Sequence, residues 1–509
     1  MYKPLVINDF LDRALAAYPD RIAIVDEEVQ PARSWGELTY AELGRKARAQ
    51  AATLDEMGVP VGARVAIVSQ NSARLICAFF GVSGWGRVLV QVNFRLAPAE
   101  IRYIVAHAGA EVLLLDPEFR HLAELVPCQR TFVLGDDDDQ IWSSTADPVP
   151  WVEDETATAA INYTSGTTGL PKGAQFSHRH LWLNATVFGW QSSVSDRDVY
   201  LHTVQAFHGS GWGHVYAATA MGAKHIILRK MDGTEVLRRI QLHGVTYLCA
   251  APAVVSAILD GAKSWNGPIP GYGRLRIICG GAPPPTRTIQ RVRDELGWEV
   301  MQLYGLTETN PFVTMCRMRA EWDGLDSFEQ ARLLGRAGVP SLGVQLRIGS
   351  DGEVLVRSSR VLESYWNDPE ATAKAHDGDW FRTGDGGFIS DGYLTISDRI
   401  KDVIVSGGEN VASVEVENAV ASHPAVRDVA VIGIPDEKWG EMVTALVVVE
   451  AGQHVTEAEL IAHCRLHLAG YKCPKRIEFR NDLPRTASGK LQKFLLRKPY
   501  WEGRSRQVN

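Results

Sequence analysis

The sequence predicts an α/β protein. A large N-terminal domain of α/β subdomains with a small β-barrel-like sheet is followed by a small α+β C-terminal domain. Over the first several hundred residues, helical and strand-like patterns alternate, which is typical of parallel, buried sheets. After Gly343, two short strand patterns flank Ser350-Asp351-Gly352, a hairpin signal. The chain from Lys401 onwards has strands and a capped helix of its own, as a separate domain would.

The N-terminal elements begin with a capping box. Thr39-Tyr40-Ala41-Glu42 opens a helix whose apolar residues recur at helical spacing up to Gly58. Apolar runs of strand length follow and predict buried strands at 63–68, 88–92, 111–116, 224–228 and 276–279.

The C-terminal elements follow the same logic. Apolar, β-branched runs predict strands at 429–434 and 445–449. A second capping box, Thr456-x-x-Glu459, opens a helix that is predicted to run through Leu468 to Gly470.

The size and composition of the chain argue for some classes of protein and against others. A chain of 509 residues is too long for a single hydrophobic core and predicts two or more domains, since cores stop growing at roughly 250–300 residues. The net charge of -7 argues against a nucleic-acid binder, which needs a basic excess. The seven cysteines lack CxxC spacing and predict reduced thiols in a cytoplasmic protein. No stretch reaches the ~20 apolar residues of a membrane span, so stable membrane insertion is not expected. The sequence leaves open whether the protein forms a homodimer.

The stretch YTSGTTGLPKGA, residues 163–174, predicts a phosphate-binding loop. Its hydroxyls can donate to phosphate oxygens, and its glycines let several backbone N–H groups face one anion. Lys172 adds a charge, although Gly does not precede it as in the common nucleotide loop. The loop follows a short apolar strand, where α/β sheets bind nucleotides, and a flexible linker is the alternative. The hydroxyl and glycine residues are Thr164, Ser165, Gly166, Thr167, Thr168 and Gly169.

Further motifs follow in a fixed order: YGLTE at 304–308, GRAGVP at 335–340, WFRTGD at 380–385, DRIKDVIVSGGENV at 398–411 and PRTASGK at 484–490. With the loop at 164–173, they make the chain resemble the adenylate-forming enzymes. That family includes acyl-CoA synthetases, firefly luciferase and the adenylation domains of peptide synthetases. The resemblance covers essentially the whole chain and is greatest to fatty acyl-CoA synthetases. It implies an acid–thiol ligase that forms acyl-AMP and pyrophosphate from ATP, then transfers the acyl group to CoA and releases AMP.

The resemblance also implies a role for each matched residue. Lys490 is expected to offset the charge between the acid carboxylate and the α-phosphate, which Thr307 contacts. Glu308 and Thr164 are expected to hold Mg²⁺, and Lys172 with its loop the β- and γ-phosphates. The implied ligands of the nucleotide are Gly280, Gly281, Ala282, Gln302, Tyr304, which stacks on adenine, Gly305, Asp385, which accepts from the ribose hydroxyls, and Arg399.

By resemblance, the domains are 1–398, which binds ATP and the acid, a hinge at 399–402 around Lys401, and a mobile C-terminal domain, 403–509. Rotation about the hinge would replace Lys490 at the site by a loop in which Gly407 and Gly408 leave room for the pantetheine arm of CoA.

The acid is predicted from the segment 206–213, which lacks the acidic residue that peptide-synthetase domains use for an amino group. Its aromatic residues and Phe312 favour an apolar acid, and the resemblance implies a medium or long-chain fatty acid. The alternatives are an aryl-CoA ligase, an acyl-AMP ligase that delivers to a carrier protein or an amine, and a member that only binds ATP. The predicted pocket residues are Phe207, His208, Trp212, Gly281, Leu306 and Asn310.

Overall fold

The computed structural model describes residues 2–164, 170–485 and 491–502, and only the backbone of Gly209, Ser210 and Lys401. The strands are β1 (Ile22–Val25), β2 (Glu37–Thr39), β3 (Arg64–Val68), β4 (Val88–Val92), β5 (Ala110–Leu115), β6 (Arg130–Val133), β7 (Thr158–Thr164), β8 (Lys172–Ser177), β9 (Val199–His202), β10 (Lys224–Ile227), β11 (Tyr247–Ala250), β12 (Arg276–Cys279), β13 (Glu299–Tyr304), β14 (Thr314–Cys316), β15 (Val339–Pro340), β16 (Val344–Ile348), β17 (Glu353–Ser358), β18 (Ser364–Tyr365), β19 (His376–Asp377), β20 (Trp380–Ser390), β21 (Tyr393–Arg399), β22 (Ile404–Ser406), β23 (Glu409–Val411), β24 (Val426–Asp436), β25 (Gly440–Val449) and β26 (Arg476–Phe479).

The α-helices are α1 (Asn8–Ala17), α2 (Tyr40–Glu56), α3 (Ala73–Gly81), α4 (Pro98–Ala108), α5 (Leu122–Leu125), α6 (Asp138–Ile141), α7 (His178–Gln191), α8 (His214–Ala220), α9 (Gly233–His243), α10 (Pro252–Lys263), α11 (Thr286–Arg291), α12 (Ser327–Leu334), α13 (Pro369–Lys374), α14 (Ser413–Ala421), α15 (Glu457–Arg465) and α16 (Lys493–Trp501).

Two large sheets form the core of the N-terminal part. One has the order β18-β8-β7-β4-β3-β5-β6, and the other has the order β15-β14-β13-β12-β11-β9-β10-β1-β2. Their central strands are parallel and buried on both faces: in β3, Val65 and Ile67 join one apolar cluster, and Ala66 and Val68 another. This double burial explains why these strands read as uninterrupted apolar runs in the sequence.

A small curled sheet follows, in which β16, β17, β20 and β19 pair in that order and β21 pairs with β20. The predicted hairpin at 350–352 joins β16 to β17, with Ile348 opposite Val354. This sheet carries Asp385 and Arg399 opposite each other on β20 and β21.

The C-terminal part has its own sheet, β23-β22-β25-β24 with β26 beside β25, and a core beneath α14 and α15. It contacts the N-terminal part through polar groups. Lys263 on α10 forms an ion pair with Glu450 at 2.5 Å, and Arg287 donates to the carbonyl of Ser422 at 3.2 Å.

The predicted fold class is confirmed. Strands β4 and β12 have the predicted bounds, and both predicted capping boxes are formed, by Thr39 with Glu42 and by Thr456 with Glu459. Helix α15 ends at Arg465, earlier than predicted, because the next residues form turn hydrogen bonds. Within the described ranges, no helix combines the length and the apolar composition that crossing a bilayer requires.

Candidate active site

A cleft of about 550 Å³ lies between the two parts of the chain. Strands β12 and β13 end at its floor, at the carboxyl edge of the nine-stranded sheet, which is where α/β sheets bind ligands. The cleft brings together many of the residues predicted as nucleotide ligands: Gly281, Ala282, Gln302, Tyr304, Gly305, Asp385 and Arg399.

A hydrogen-bonded group forms one wall of the cleft. The Tyr304 hydroxyl donates to Asp385 Oδ2 at 2.8 Å, and Arg399 Nε lies 2.7 Å from Asp385 Oδ1. Burial, and then the Asp385 charge, raise the pKa of Tyr304, so the phenol stays a donor. Burial lowers the pKa of Arg399, but Asp385 and the other nearby acidic groups together outweigh burial, so the pKa is raised and Arg399 keeps its charge. This wall therefore offers an ionised acceptor and a fixed cation, which suits a sugar diol.

The floor of the cleft offers an acceptor. Gln302 is 3% exposed, and its side-chain oxygen has no hydrogen-bond partner among the residues that the structure describes. Nearby, Gly305 permits a close approach of two backbone segments, since a Cβ there would lie 1.4 Å from the carbonyl oxygen of Pro311. An amino group of a ligand would satisfy the Gln302 oxygen.

The predicted phosphate loop joins two antiparallel strands, β7 and β8, and Thr164 pairs with Lys172 at its base. Residues Ser165, Gly166, Thr167, Thr168 and Gly169 lie outside the described residues.

A residue that the sequence analysis missed connects this loop with the predicted metal ligand. The Tyr365 hydroxyl donates to Glu308 Oε1 at 2.9 Å, and Lys172 Nζ lies 5.3 Å from the centre of the Tyr365 ring. In the sequence, Tyr365 is marked only by its place in a Tyr-Trp pair shortly before Asp368-Pro369, where Asp368 caps α13. Thr307 begins the adjoining short helix.

The predicted acid-side residues pack into the core beside the cleft. The Trp212 ring lies against Gly280, where a Cβ would meet it at 2.9 Å. Phe207 packs against His208 and Phe94, with ring centres 4.3 and 5.5 Å apart. Leu306 and Asn310 are buried, and the Asn310 amide donates to the His180 carbonyl, which fixes the loop after β13 to α7.

The C-terminal part contributes the other wall. Lys490 lies outside the described residues, but its flanking residues Arg485 and Leu491 line the cleft and face each other in a β-bridge. Arg485 forms two hydrogen bonds to Asp428, at 2.7 and 2.8 Å. Both ends of the segment that carries Lys490 are therefore held at the cleft.

A buried ionic cluster anchors α16, the helix that follows this segment. Lys493 Nζ lies 2.8 Å from Glu417 and donates to the Ser413 hydroxyl. The Ser413 backbone N–H and hydroxyl both donate to Asp398, which comes just before the predicted hinge. Burial opposes the charge of Lys493, but Glu417 and then Asp398 outweigh it and raise its pKa.

The predicted CoA-side loop is a tight turn between β22 and β23. Gly407 and Gly408 have φ values of 63° and 85°, in the left-handed region that favours glycine, and the Gly407 N–H donates to the Trp439 carbonyl at 2.7 Å. Neither glycine lines the cleft as the described residues form it. In this orientation, the described residues that flank the Lys490 segment line the cleft, and Gly407 and Gly408 do not.

Residues 11–366 match the family model of the AMP-binding enzymes, and residues 415–490 match the AMP-binding enzyme C-terminal domain. The chain belongs to the AMP-binding enzyme family. Over 96% of its length, this AMP-binding enzyme is 35% identical to 4-hydroxybutyrate–CoA ligase 2 of Metallosphaera sedula, of which 93% is covered.

Two solved structures resemble this AMP-binding enzyme over nearly its full length. The anthranilate CoA ligase AuaEII in complex with anthranoyl-AMP has a TM-score of 0.87 at 27% identity, covering 98% of each chain. The o-succinylbenzoate CoA synthetase of Bacillus subtilis with ATP and magnesium has a TM-score of 0.80 at 28% identity, covering 96% of this chain and 99% of that one. The predicted superfamily, the class of AMP-forming acyl-CoA synthetases and the use of ATP, Mg²⁺ and CoA are confirmed at the level of the family.

Proposed function

We propose that this AMP-binding enzyme activates a compact carboxylic acid as acyl-AMP and transfers the acyl group to CoA. The cleft carries the proposal. It has the Tyr304, Asp385 and Arg399 group on one wall and the anchored flanks of the Lys490 segment on the other. This arrangement suits a reaction that needs a bound nucleotide and a lysine that a second domain can bring to the site and withdraw again.

In the first half-reaction, the acid carboxylate attacks the α-phosphorus of ATP, so two anions must approach in line. Lys490 and Thr307 offset the charge at the α-phosphate, and Lys172 with its loop binds the departing pyrophosphate. Glu308 supplies a hard oxygen and Thr164 a second one, which fit Mg²⁺, and the ion would neutralise the phosphate oxygens.

The nucleotide is held by the groups around the cleft floor. Gln302 accepts from the adenine amino group, and Gly280 to Ala282 let the backbone approach the ring, on which Tyr304 stacks. Asp385 accepts from the ribose hydroxyls and Arg399 contacts the sugar or a phosphate.

Replacing Asp385 by asparagine is expected to weaken ATP and AMP binding about 10-fold or more, since hydrogen bonds to a charged group contribute about 1.5–3 kcal/mol. Equilibrium titration of AMP measures it. The control is Asp377→Asn, an exposed carboxylate that pairs with Arg347 on the same sheet at 3.0 Å. AMP affinity that is equal in both variants would rule out the ribose role of Asp385.

The second half-reaction requires a different orientation. The proposed domains are 1–398 and 403–509, joined by the hinge at 399–402, and rotation about Lys401 brings the turn with Gly407 and Gly408 to the site. A Cβ on Gly408 would meet nothing within 4 Å, so the turn has room beside it for the pantetheine arm.

The packing at Trp212 supports the proposed size of the acid. Although the sequence predicts a medium or long-chain fatty acid, Trp212 closes the space next to Gly280, and the aromatic side chains of Phe188, Tyr247 and Phe312 fill the core behind it. A short-chain or small aryl acid fits this packing better than a long chain does, and the packing therefore supports a compact substrate.

Replacing Trp212 by leucine is expected to raise kcat/KM for C8–C12 acids relative to C4 acids by at least about 10-fold, because pocket space for extra methylenes discriminates by about 1–3 kcal/mol each. The control is Trp322→Leu, since Trp322 is equally buried, at 9% exposed, but packs in a separate core cluster. An unchanged chain-length profile in Trp212→Leu would place the acid elsewhere.

The overall proposal is tested by measuring pyrophosphate release with aliphatic C4–C18, benzoic and phenylpropenoic acids, with and without CoA, and detecting acyl-CoA by mass spectrometry. Acyl-CoA from one acid class is expected. Acyl-AMP that accumulates without acyl-CoA would instead favour delivery to a carrier protein or an amine. Absence of pyrophosphate release with every acid tested would contradict the proposal. The cytoplasmic setting and the homodimer stay predictions.

A further inference from the structure

Tyr365 lies on a strand beside the hairpin that carries the phosphate loop. Strand β18 pairs with β8, placing Tyr365 opposite Ala174, and the next residue, Trp366, donates its backbone N–H to the Gly173 carbonyl at 2.7 Å. The position of Tyr365 is therefore fixed relative to the base of that loop.

The same tyrosine is held from its other side by α13. Its backbone N–H donates to Thr372 Oγ1 at 2.9 Å, and that hydroxyl donates to the Asp368 carbonyl at 2.8 Å. The adjoining segment also binds the backbone around the predicted metal ligand, since the Leu362 N–H donates to the Glu308 carbonyl at 2.7 Å. These contacts fix the backbone of Tyr365 from the side of α13 and from the side of Glu308.

The side chain of Tyr365 contacts both charged groups of the phosphate side. Its hydroxyl donates to Glu308 Oε1 at 2.9 Å, and its ring faces Lys172 at a cation–π distance. A carboxylate that accepts this bond at one oxygen keeps its other oxygen for a cation.

We propose that Tyr365 is a positioning residue for the adenylation step, whose hydroxyl orients Glu308 toward Mg²⁺ and whose ring sets the distance between Glu308 and Lys172. The proposal rests on the proposed function, in which Glu308 holds the metal and Lys172 the pyrophosphate. Groups that orient a metal ligand in this way typically account for about 10- to 100-fold in metal affinity.

The test is Tyr365→Phe, which removes the hydroxyl and keeps the ring. Binding of Mn²⁺ is measured by electron paramagnetic resonance in the presence of a non-hydrolysable ATP analogue. The variant is expected to bind Mn²⁺ about 10-fold or more weakly than the natural protein does. Its affinity for AMP, which has no β- and γ-phosphates, is expected to be unchanged. Tyr365→Leu, which also removes the ring beside Lys172, should in addition weaken binding of the ATP analogue without metal.

Two controls separate positioning from folding. Tyr393→Phe also removes a hydroxyl that takes part in a hydrogen bond, with Arg319 at 3.1 Å, and should leave the Mn²⁺ affinity unchanged. Adding Tyr365→Phe to Glu308→Gln should cost little more than Glu308→Gln alone, because both remove one interaction.

Unchanged Mn²⁺ affinity in Tyr365→Phe would overturn the proposal, and so would equal losses of AMP and metal binding, which indicate a structural role only. Failure of the proposed function itself would look different, because the natural protein would then release no pyrophosphate with any acid.

Discussion

Lys490→Ala is expected to slow acyl-AMP formation by about 10²–10³-fold, a loss of about 2.7–4 kcal/mol of transition-state stabilisation. The reason is that two anions approach each other in this step, and a positioned cation offsets the charge that builds between them. The residues on either side of the Lys490 segment, Arg485 and Leu491, line the cleft, and the ion pair of Arg485 with Asp428 keeps one end there.

Isotope exchange between pyrophosphate and ATP measures the first half-reaction, and thioester formation from supplied acyl-AMP and CoA measures the second. The second is expected to survive, because the proposed rotation about the hinge would remove Lys490 before the thiol attacks. Lys498→Ala, an exposed lysine on the helix that follows, should leave both unchanged. If Lys490→Ala slowed both half-reactions equally, this result would contradict the assigned role of Lys490 and also the proposed domain rotation.

Lys493→Met is expected to destabilise the C-terminal part by about 3–5 kcal/mol, because it leaves Glu417 and Asp398 buried without their cation. The side chains of Lys493 and Glu417 are only 11% and 16% exposed, so water replaces the lost partner incompletely. Since the Lys493 pKa is raised, its stabilisation is present below the ordinary lysine pKa and is lost as the pH rises through the raised value.

Hydrogen exchange of peptides from β24 and β25, measured across a urea series, reports this loss in the C-terminal sheet. Lys472→Met is the matched control, since its pair with Glu415 is more exposed, and about 1 kcal/mol or less is expected. The double variant Lys493→Met with Glu417→Leu should recover much of the loss, because it removes the unpaired carboxylate. A loss below about 1 kcal/mol in Lys493→Met would show that the cluster is solvated.

The parts of the fold that local patterns determine could be predicted from the sequence. Strands β4 and β12 are continuous apolar runs because both of their faces are buried, and the capping boxes of α2 and α15 involve residues only three positions apart. The end of α15 was misplaced because its apolar pattern continues into a turn.

The candidate site likewise has residues that the sequence predicts and contacts that it does not. Tyr304, Asp385 and Arg399 lie in motifs and were predicted one by one, whereas the hydrogen bond between Tyr304 and Asp385 spans 81 positions and no pattern indicates it. Tyr365 was missed because its partner Glu308 is 57 positions away, and Lys493 because its partner Ser413 is 80 positions away. Such pairs depend on which strands become neighbours, which only the tertiary structure determines.

The polar contacts between the two parts of the chain have a consequence for control of the enzyme. Lys263 is 47% exposed and Glu450 25%, so their ion pair contributes at most about 1 kcal/mol and weakens as salt screens it. An ion pair of this strength does not by itself trap one orientation, although the buried hydrogen bonds from Ser413 to Asp398 also cross between the two parts. We therefore expect the occupant of the cleft, a triphosphate before adenylation or acyl-AMP after pyrophosphate leaves, to influence which orientation is populated, because a ligand favours the orientation that binds it better.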